Sequence, residues 1–341
     1  MRRQPWSPDH GTRLYFFSHQ SHNIANFHTT SAVNNLVDLY LYMRQILDHS
    51  LQHIWRVHAA TTFNHSIVMG SKDKDGDAEA PYIFTTLRWD PTLRNHEESD
   101  SSSPFYLLPY HADRIAEACD NGPDRSKDQS YAPSVGALSR RLSNAVSRWC
   151  DDPRNATAEC LRIKYRVYGD GTAMTECWPI PRLPRSTLFP TTFGTPETLP
   201  LEGIEWTVVL DVQDTALSHS TMCKTSDRWA YDRARKAAGI SSLTCQQEVL
   251  LYSRDGHIMD ASITSPYFYR DGQWATPSAS CGGQHGTTRR WALENNLAIE
   301  AVIDKDGLVQ HDIVWLSNAV RGFFPARLVA SSIGTASSDR T

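Results

Sequence analysis

Two Asp-Gly pairs, Asp255-Gly256 and Asp271-Gly272, each interrupt a stretch of short apolar runs, and they limit the folds open to this chain more than any other feature. Asp-Gly suits the left-handed backbone of a two-residue hairpin turn, so the strand at 248–252 and the segments after it are predicted to double back as antiparallel pairs. Around them, strand-like and helix-like periods alternate. Strands are predicted at 82–89, 105–108, 161–168, 206–210, 299–303 and 313–316, and helices at 111–119, 135–149, 227–238 and 287–295. Such alternation specifies an α/β or α+β chain built in two lobes.

Eight of the fourteen histidines lie in the first 65 residues, at irregular spacings and with no HExxH arrangement, so no metal site is expected from them. One amphipathic helix is predicted there, at 33–57, and the charged run at 71–79 reads as a linker. Residues 1–80 thus read as a histidine-rich extension, 81–185 as a smaller N-terminal lobe, 186–330 as a C-terminal lobe and 331–341 as a disordered tail. Six prolines between 179 and 200 mark the crossing from one lobe to the other.

The 34 Lys+Arg against 38 Asp+Glu leave a formal charge of -4, which gives no basic footprint for nucleic acid. No apolar stretch reaches the roughly 18 residues that a membrane span requires, and the N-terminus lacks the apolar core of a secretory signal. Seven cysteines, odd in number and without a CxxC spacing, read as reduced thiols. A cytoplasmic protein is expected, with no membrane or nucleic-acid partner.

Two segments carry chemistry on their own terms. The glycine-rich loop Cys281-Gly282-Gly283-Gln284-His285-Gly286 opens into a helix at Thr287-Thr288-Arg289-Arg290, where free N–H groups and hydroxyls suit an anion. Neither a P-loop nor a GxGxxG fingerprint is present, which argues against a nucleotide. Lys224 stands alone between a strand-like segment and a helix, and a catalytic part for it requires an amine partly removed from water.

Taken in order, these segments resemble the fold-type IV pyridoxal-phosphate enzymes. The resemblance runs from about 81 to 329 and rests on Phe84-Thr85-Thr86-Leu87-Arg88, Leu107-Leu108-Pro109-Tyr110-His111-Ala112-Asp113-Arg114, Lys224 with Arg228, Asp260-Ala261, Gly286-Thr287-Thr288-Arg289 and Ser317-Asn318-Ala319. Within that group Ser265-Pro266-Tyr267-Phe268-Tyr269-Arg270 and Ser317-Asn318-Ala319-Val320-Arg321-Gly322 are most similar to the fungal 4-amino-4-deoxychorismate lyases. The resemblance implies pyridoxal 5'-phosphate as cofactor, Lys224 as the residue that bonds to it and moves protons, and Arg114, Gly286, Thr287 and Thr288 around its phosphate. It implies Asp260 opposite the ring nitrogen, Asn318 and Ala319 at the cofactor, Arg88 toward the carboxylates of aminodeoxychorismate, and a homodimer. Asp260-Ala261 departs from the family's Glu-Gly, and Ser265 from its asparagine, with Glu248 as the fallback carboxylate. A branched-chain or D-amino-acid aminotransferase and a non-catalytic relative are the alternatives.

Overall fold

In the computed structural model, described for residues 79–95, 103–120, 132–155, 157–199 and 202–329, strand β1 (Tyr82–Trp89) pairs antiparallel with β2 (Cys160–Tyr168), and β2 pairs antiparallel with β3 (Ala173–Ile180). The predicted helix at 33–57, the histidine cluster and the tail at 331–341 lie outside the described residues. From Leu161 onward strand β2 alternates: Leu161, Ile163, Tyr165 and Val167 are buried, while Arg162, Lys164 and Arg166 point the other way. The apolar face is covered by α1 (Leu108–Asp120) and α2 (Val135–Cys150), which contribute Ile115, Leu138 and Leu142 to the same core. Ser134 starts α2 by accepting a hydrogen bond from the amide of Ala137.

The second sheet has eight strands in the order β6-β5-β4-β11-β10-β7-β8-β9. They are β4 (Trp206–Leu210), β5 (Gln247–Tyr252), β6 (Ile258–Ala261), β7 (Ser265–Arg270), β8 (Gln273–Pro277), β9 (Ile299–Ala301), β10 (Ile313–Asn318) and β11 (Gly322–Leu328). Both Asp-Gly hairpins form, with β5–β6 and β7–β8 antiparallel, and Asp271 and Gly272 take the positive φ values of 51° and 80° that such a turn uses. Around the sheet lie two single-turn helices, α3 (Arg185–Leu188) and α4 (His219–Met222), and two longer ones, α5 (Trp229–Ala237) and α6 (Thr287–Glu294). The proline-rich crossing is anchored by Phe193, whose ring stacks on Trp315 at 4.9 Å and meets Tyr267 edge-on at 5.2 Å.

The free edge of β1 joins the two sheets. Its Phe84 amide donates to the Lys224 carbonyl at 2.9 Å, the Ser226 amide donates back to Tyr82 at 2.8 Å, and the Arg88 amide donates to the Ala319 carbonyl at 2.8 Å.

Several elements differ from expectation, among them the single-turn helices α3 and α4, which carried no predicted period. Residues 105–108 form no strand: Phe105 makes an isolated bridge to Trp89, Leu107 turns the chain with φ 55°, and Leu108 already begins α1, where Pro109 is tolerated in the first turn. Strands β3 and β11 were not anticipated, since Pro179 and Pro325 argue against strands and both are nevertheless accommodated in the ladders.

At Gly322, φ is +67° and a Cβ would stand 2.3 Å from the Thr187 carbonyl oxygen, whereas Gly272 shares the positive φ but has open space around it. Gly272→Ala should therefore lose about 1 kcal/mol and Gly322→Ala about 2–4 kcal/mol, read as the difference between their thermal unfolding midpoints. Equal losses would show that the crowding at Thr187 is relieved by a small shift.

Candidate active site

Lys224 follows α4, whose N-terminus is closed by a capping box between Ser218 and Thr221. Because the Lys224 carbonyl is tied to β1, the side chain starts from a fixed point, and its Nζ lies 3.3 Å from Gln284 Oε1 and 5.2 Å from the centre of the Phe84 ring. The residue is half-buried. Enclosure of the amine, then the charges of Arg228 and Arg114, hold its pKa well below the ordinary lysine value. Arg228 is fixed by a 2.7 Å bond to the Ser262 carbonyl.

Asp260, on β6 and buried, is the carboxylate that faces this amine. Burial pushes its carboxyl up to about 7, against the pull of the Ala261 amide and of Lys224. The Gln284 amide donates to its Oδ2 at 3.3 Å. Gln284 thus touches both groups, through its side chain and through its backbone. That placement depends on Gly283, where a Cβ would fall 2.0 Å from the Met259 carbonyl oxygen, so only glycine lets the loop lie directly on β6. Tyr231, whose hydroxyl donates to the Thr221 carbonyl at 2.9 Å, also interacts with the side chains of Asp260 and Gln284.

Glu248 does not serve as a substitute for Asp260. It is fully buried, and its two oxygens accept from the amides of Val249, Ser262 and Ile263 and from the hydroxyls of Ser262 and Thr264, with Arg235 3.9 Å away. Its bonding capacity is filled by the loop that follows β6.

Gly286 precedes α6 and provides no side-chain cap, and a Cβ there would meet the Ser265 hydroxyl at 2.4 Å. Thr287 and Thr288, 2% and 1% exposed, form the first turn. On α1, Arg114 donates through Nη2 to Thr85 Oγ1, while its Nε is buried with no partner; the His111 Nε2 is likewise unpaired. The charge of Arg114 acts on Lys224 and on Arg290 of α6, so it sits between these elements. Asn318 accepts from the amides of Val320 and Arg321 at 3.0 and 2.9 Å and donates to the Ile263 carbonyl at 3.3 Å, which shapes the β10–β11 turn. Ala319 is buried in that turn.

Arg88 is 1% exposed, and its Nε and Nη2 donate to the carbonyls of Val320 at 2.9 Å and Pro181 at 3.0 Å, while its Nη1 lies 3.7 Å from Asp90 and has no hydrogen-bond partner. It fastens β1 to the large lobe. A further guanidinium near the amine is Arg162, over the Trp178 ring at 4.7 Å, with the charge of Glu176 acting on it but no ion pair among the described residues, and close enough for its own charge to depress Lys224. The alternation of charges along β2 was the available signal for it. Lys164, beside it, donates to Tyr82 Oη at 3.1 Å and lies over the Phe84 ring at 4.8 Å. Burial and the neighbouring Arg166 bring its amine down to about 8.

The unfolded chain releases the Asp260 proton near pH 4, whereas the fold retains it to about pH 7. Its contribution to stability is therefore whole below about pH 4 and is lost as pH rises through about 7, while Lys224, shifted downward, destabilises at low pH and recovers as pH rises. Between pH 5 and 7.5 the ligand-free protein should lose thermal stability relative to Asp260→Asn, and parallel melting profiles for the two would refute the raised Asp260 pKa.

The Amino-transferase class IV family model matches residues 83–329. A Schizosaccharomyces pombe protein named "Putative aminodeoxychorismate lyase" is 34% identical over 225 residues, covering 64% of this chain and 81% of that protein. Among solved structures, a "Putative amino-acid aminotransferase" from Mesorhizobium loti aligns over 73% of this chain and all of its own, at TM-score 0.51 and 24% identity. The T.th. branched-chain amino acid aminotransferase, solved with pyridoxamine 5'-phosphate, aligns over 73% of this chain and 76% of its own, at TM-score 0.50 and 14% identity.

Proposed function

The chain belongs to the class IV aminotransferase family, and on that premise we propose that it is a pyridoxal-phosphate-dependent 4-amino-4-deoxychorismate lyase, releasing pyruvate and 4-aminobenzoate, a folate precursor. The observation that carries the reading is the Lys224 amine, held toward its neutral form and set beside the buried carboxyl of Asp260 with Gln284 bonded to both. The Schizosaccharomyces pombe relative that is 34% identical supports the lyase branch.

The residues present fit the cofactor. An unpaired, buried Arg114 Nε and an uncapped helix start at Gly286-Thr287-Thr288 suit a phosphate, and Asp260 suits a cationic ring nitrogen, which would draw its carboxyl back down to the charged form. When bound, pyridoxal phosphate supplies an aldehyde for amines and a protonated ring that accepts electron density from the carbon next to the nitrogen.

The chain's own residues then have defined tasks. Lys224 Nζ, neutral, takes the proton from the substrate carbon that bears the amino group. The C–O bond to the enolpyruvyl group breaks, the six-membered ring becomes aromatic, and the Lys224 ammonium returns its proton to the leaving group, which departs as pyruvate. Asp260 holds the proton on the cofactor's ring nitrogen. Arg162, with no ion pair among the described residues, orients a substrate carboxylate, and Lys164 extends the same cationic face. Gln284 keeps the Lys224 amine aligned between steps. The working unit in this reading is a cytoplasmic homodimer.

With the cofactor-loaded protein and aminodeoxychorismate, 4-aminobenzoate and pyruvate should appear in equal amounts, and Lys224→Ala should lower the rate about 10³-fold or more. Amino transfer to a keto acid without pyruvate release would replace the lyase by a transaminase, and no turnover of either kind would point to a non-catalytic relative. Arg162→Met should raise KM about 10–100-fold with a smaller change in kcat, since it removes a charge-assisted contact to the ground state. An unchanged KM would remove Arg162 from the substrate site.

A further inference from the structure

Three buried hydroxyls lead from the middle of the large sheet to the first turn of α6. Tyr267 on β7 and Ser317 on β10 lie on the same face of adjacent antiparallel strands, diagonal to one another, since Tyr267 is directly opposite Trp315 and Ser317 opposite Ser265. The tyrosine ring spans that diagonal, placing its Oη 2.8 Å from Ser317 Oγ, and Ser317 Oγ in turn donates to Thr288 Oγ1 at 2.8 Å. All three residues are at most 1% exposed.

A hydroxyl has one proton to give. Ser317 gives its proton to Thr288, so toward Tyr267 it can only accept, and Tyr267 is the donor. Thr288 is left with its own proton unassigned, and no acceptor for it exists among the described residues. Its oxygen lies at the start of a helix that no side chain caps. A buried O–H without an acceptor is disfavoured, and a chain of donors pointing one way polarises its last member, so the geometry calls for an anion at that end.

We infer that Tyr267 and Ser317 are positioning residues that fix the direction of the Thr288 hydroxyl, so that it donates to the phosphate of the bound cofactor. This rests on the reading that Gly286-Thr287-Thr288 receives that phosphate. Without Ser317, the Thr288 hydroxyl is free to turn away, and without Tyr267, Ser317 is free to reverse and accept from Thr288.

The test is titration of the cofactor-free protein with pyridoxal 5'-phosphate and, separately, with pyridoxal, which has the same ring and no phosphate. Tyr267→Phe and Ser317→Ala should each bind the phosphate ester about tenfold more weakly, should bind pyridoxal within about twofold of the parent, and should shift the ³¹P resonance of the bound cofactor. Ser317→Thr keeps the hydroxyl and should restore the affinity. Equal weakening toward both ligands would mean that the variants only disturb packing, and unchanged affinity for the ester would mean that the chain has no part in holding it; either overturns the inference. A parent protein that binds the ester no better than pyridoxal overturns it too. A protein with the contrast intact that forms no 4-aminobenzoate upholds the hydroxyl chain and removes the lyase.

Discussion

Strand β1 is paired along one edge to its own sheet and along the other to the chain that carries Lys224 and to the β10–β11 turn. The position of the Lys224 amine refers back to that strand. The Phe84 amide fixes the lysine backbone, the Phe84 ring lies under the lysine amine, and the Arg88 amide and guanidinium fasten the turn built by Asn318. Unpaired strand edges are usually liabilities, and here one edge is consumed in assembling two lobes around a single amine.

The electrostatics of the site follow from how its charges are distributed. Lys224 has Arg228, Arg114 and Arg162 acting on it and one nearby carboxyl, Asp260, in opposition. The other buried acid, Glu248, is closed off by five donors and serves as a scaffold for the loop 262–264. Availability therefore separates the two acids: Glu248 has its lone pairs filled by the Val249 amide and the loop 262–264, and Asp260 retains a proton to give up. An excess of half-buried positive charge with few internal partners is the state expected of a pocket whose counter-ions arrive with its ligands.

Much of the fold was legible because its signals are local. The Asp-Gly turns, the helix starts and the alternation along β2 each depend on neighbours in sequence. Strands β3 and β11 were not, since their prolines count against them locally and only the ladder shows that they are accommodated. Among the candidate residues, an ordered set of motifs pointed to Lys224, Asp260 and Arg88 but not to the contacts around them, because a guanidinium that binds main-chain carbonyls, as Arg88 does through two of its nitrogens, has the same letter as one that binds a ligand. Gln284 appeared only as one member of the glycine-rich loop, with nothing that set it apart from its neighbours. Its importance arises from Gly283 lying against β6, a close approach between segments more than twenty residues apart in sequence.

The cations on β2 share their strand with the residues that build the small lobe's core. Leu161, Ile163 and Tyr165 face the helices, and Arg162, Lys164 and Arg166 stand between them on the other side. A slip of one residue against β1 would drive three positive groups in among Ile115, Leu138 and Leu142 and strand the apolar side chains in water. The same three charges therefore reject mispairing while the chain is folding, and Arg166, paired with Glu79 and Glu176, also ties the strand to its neighbours once the fold is reached.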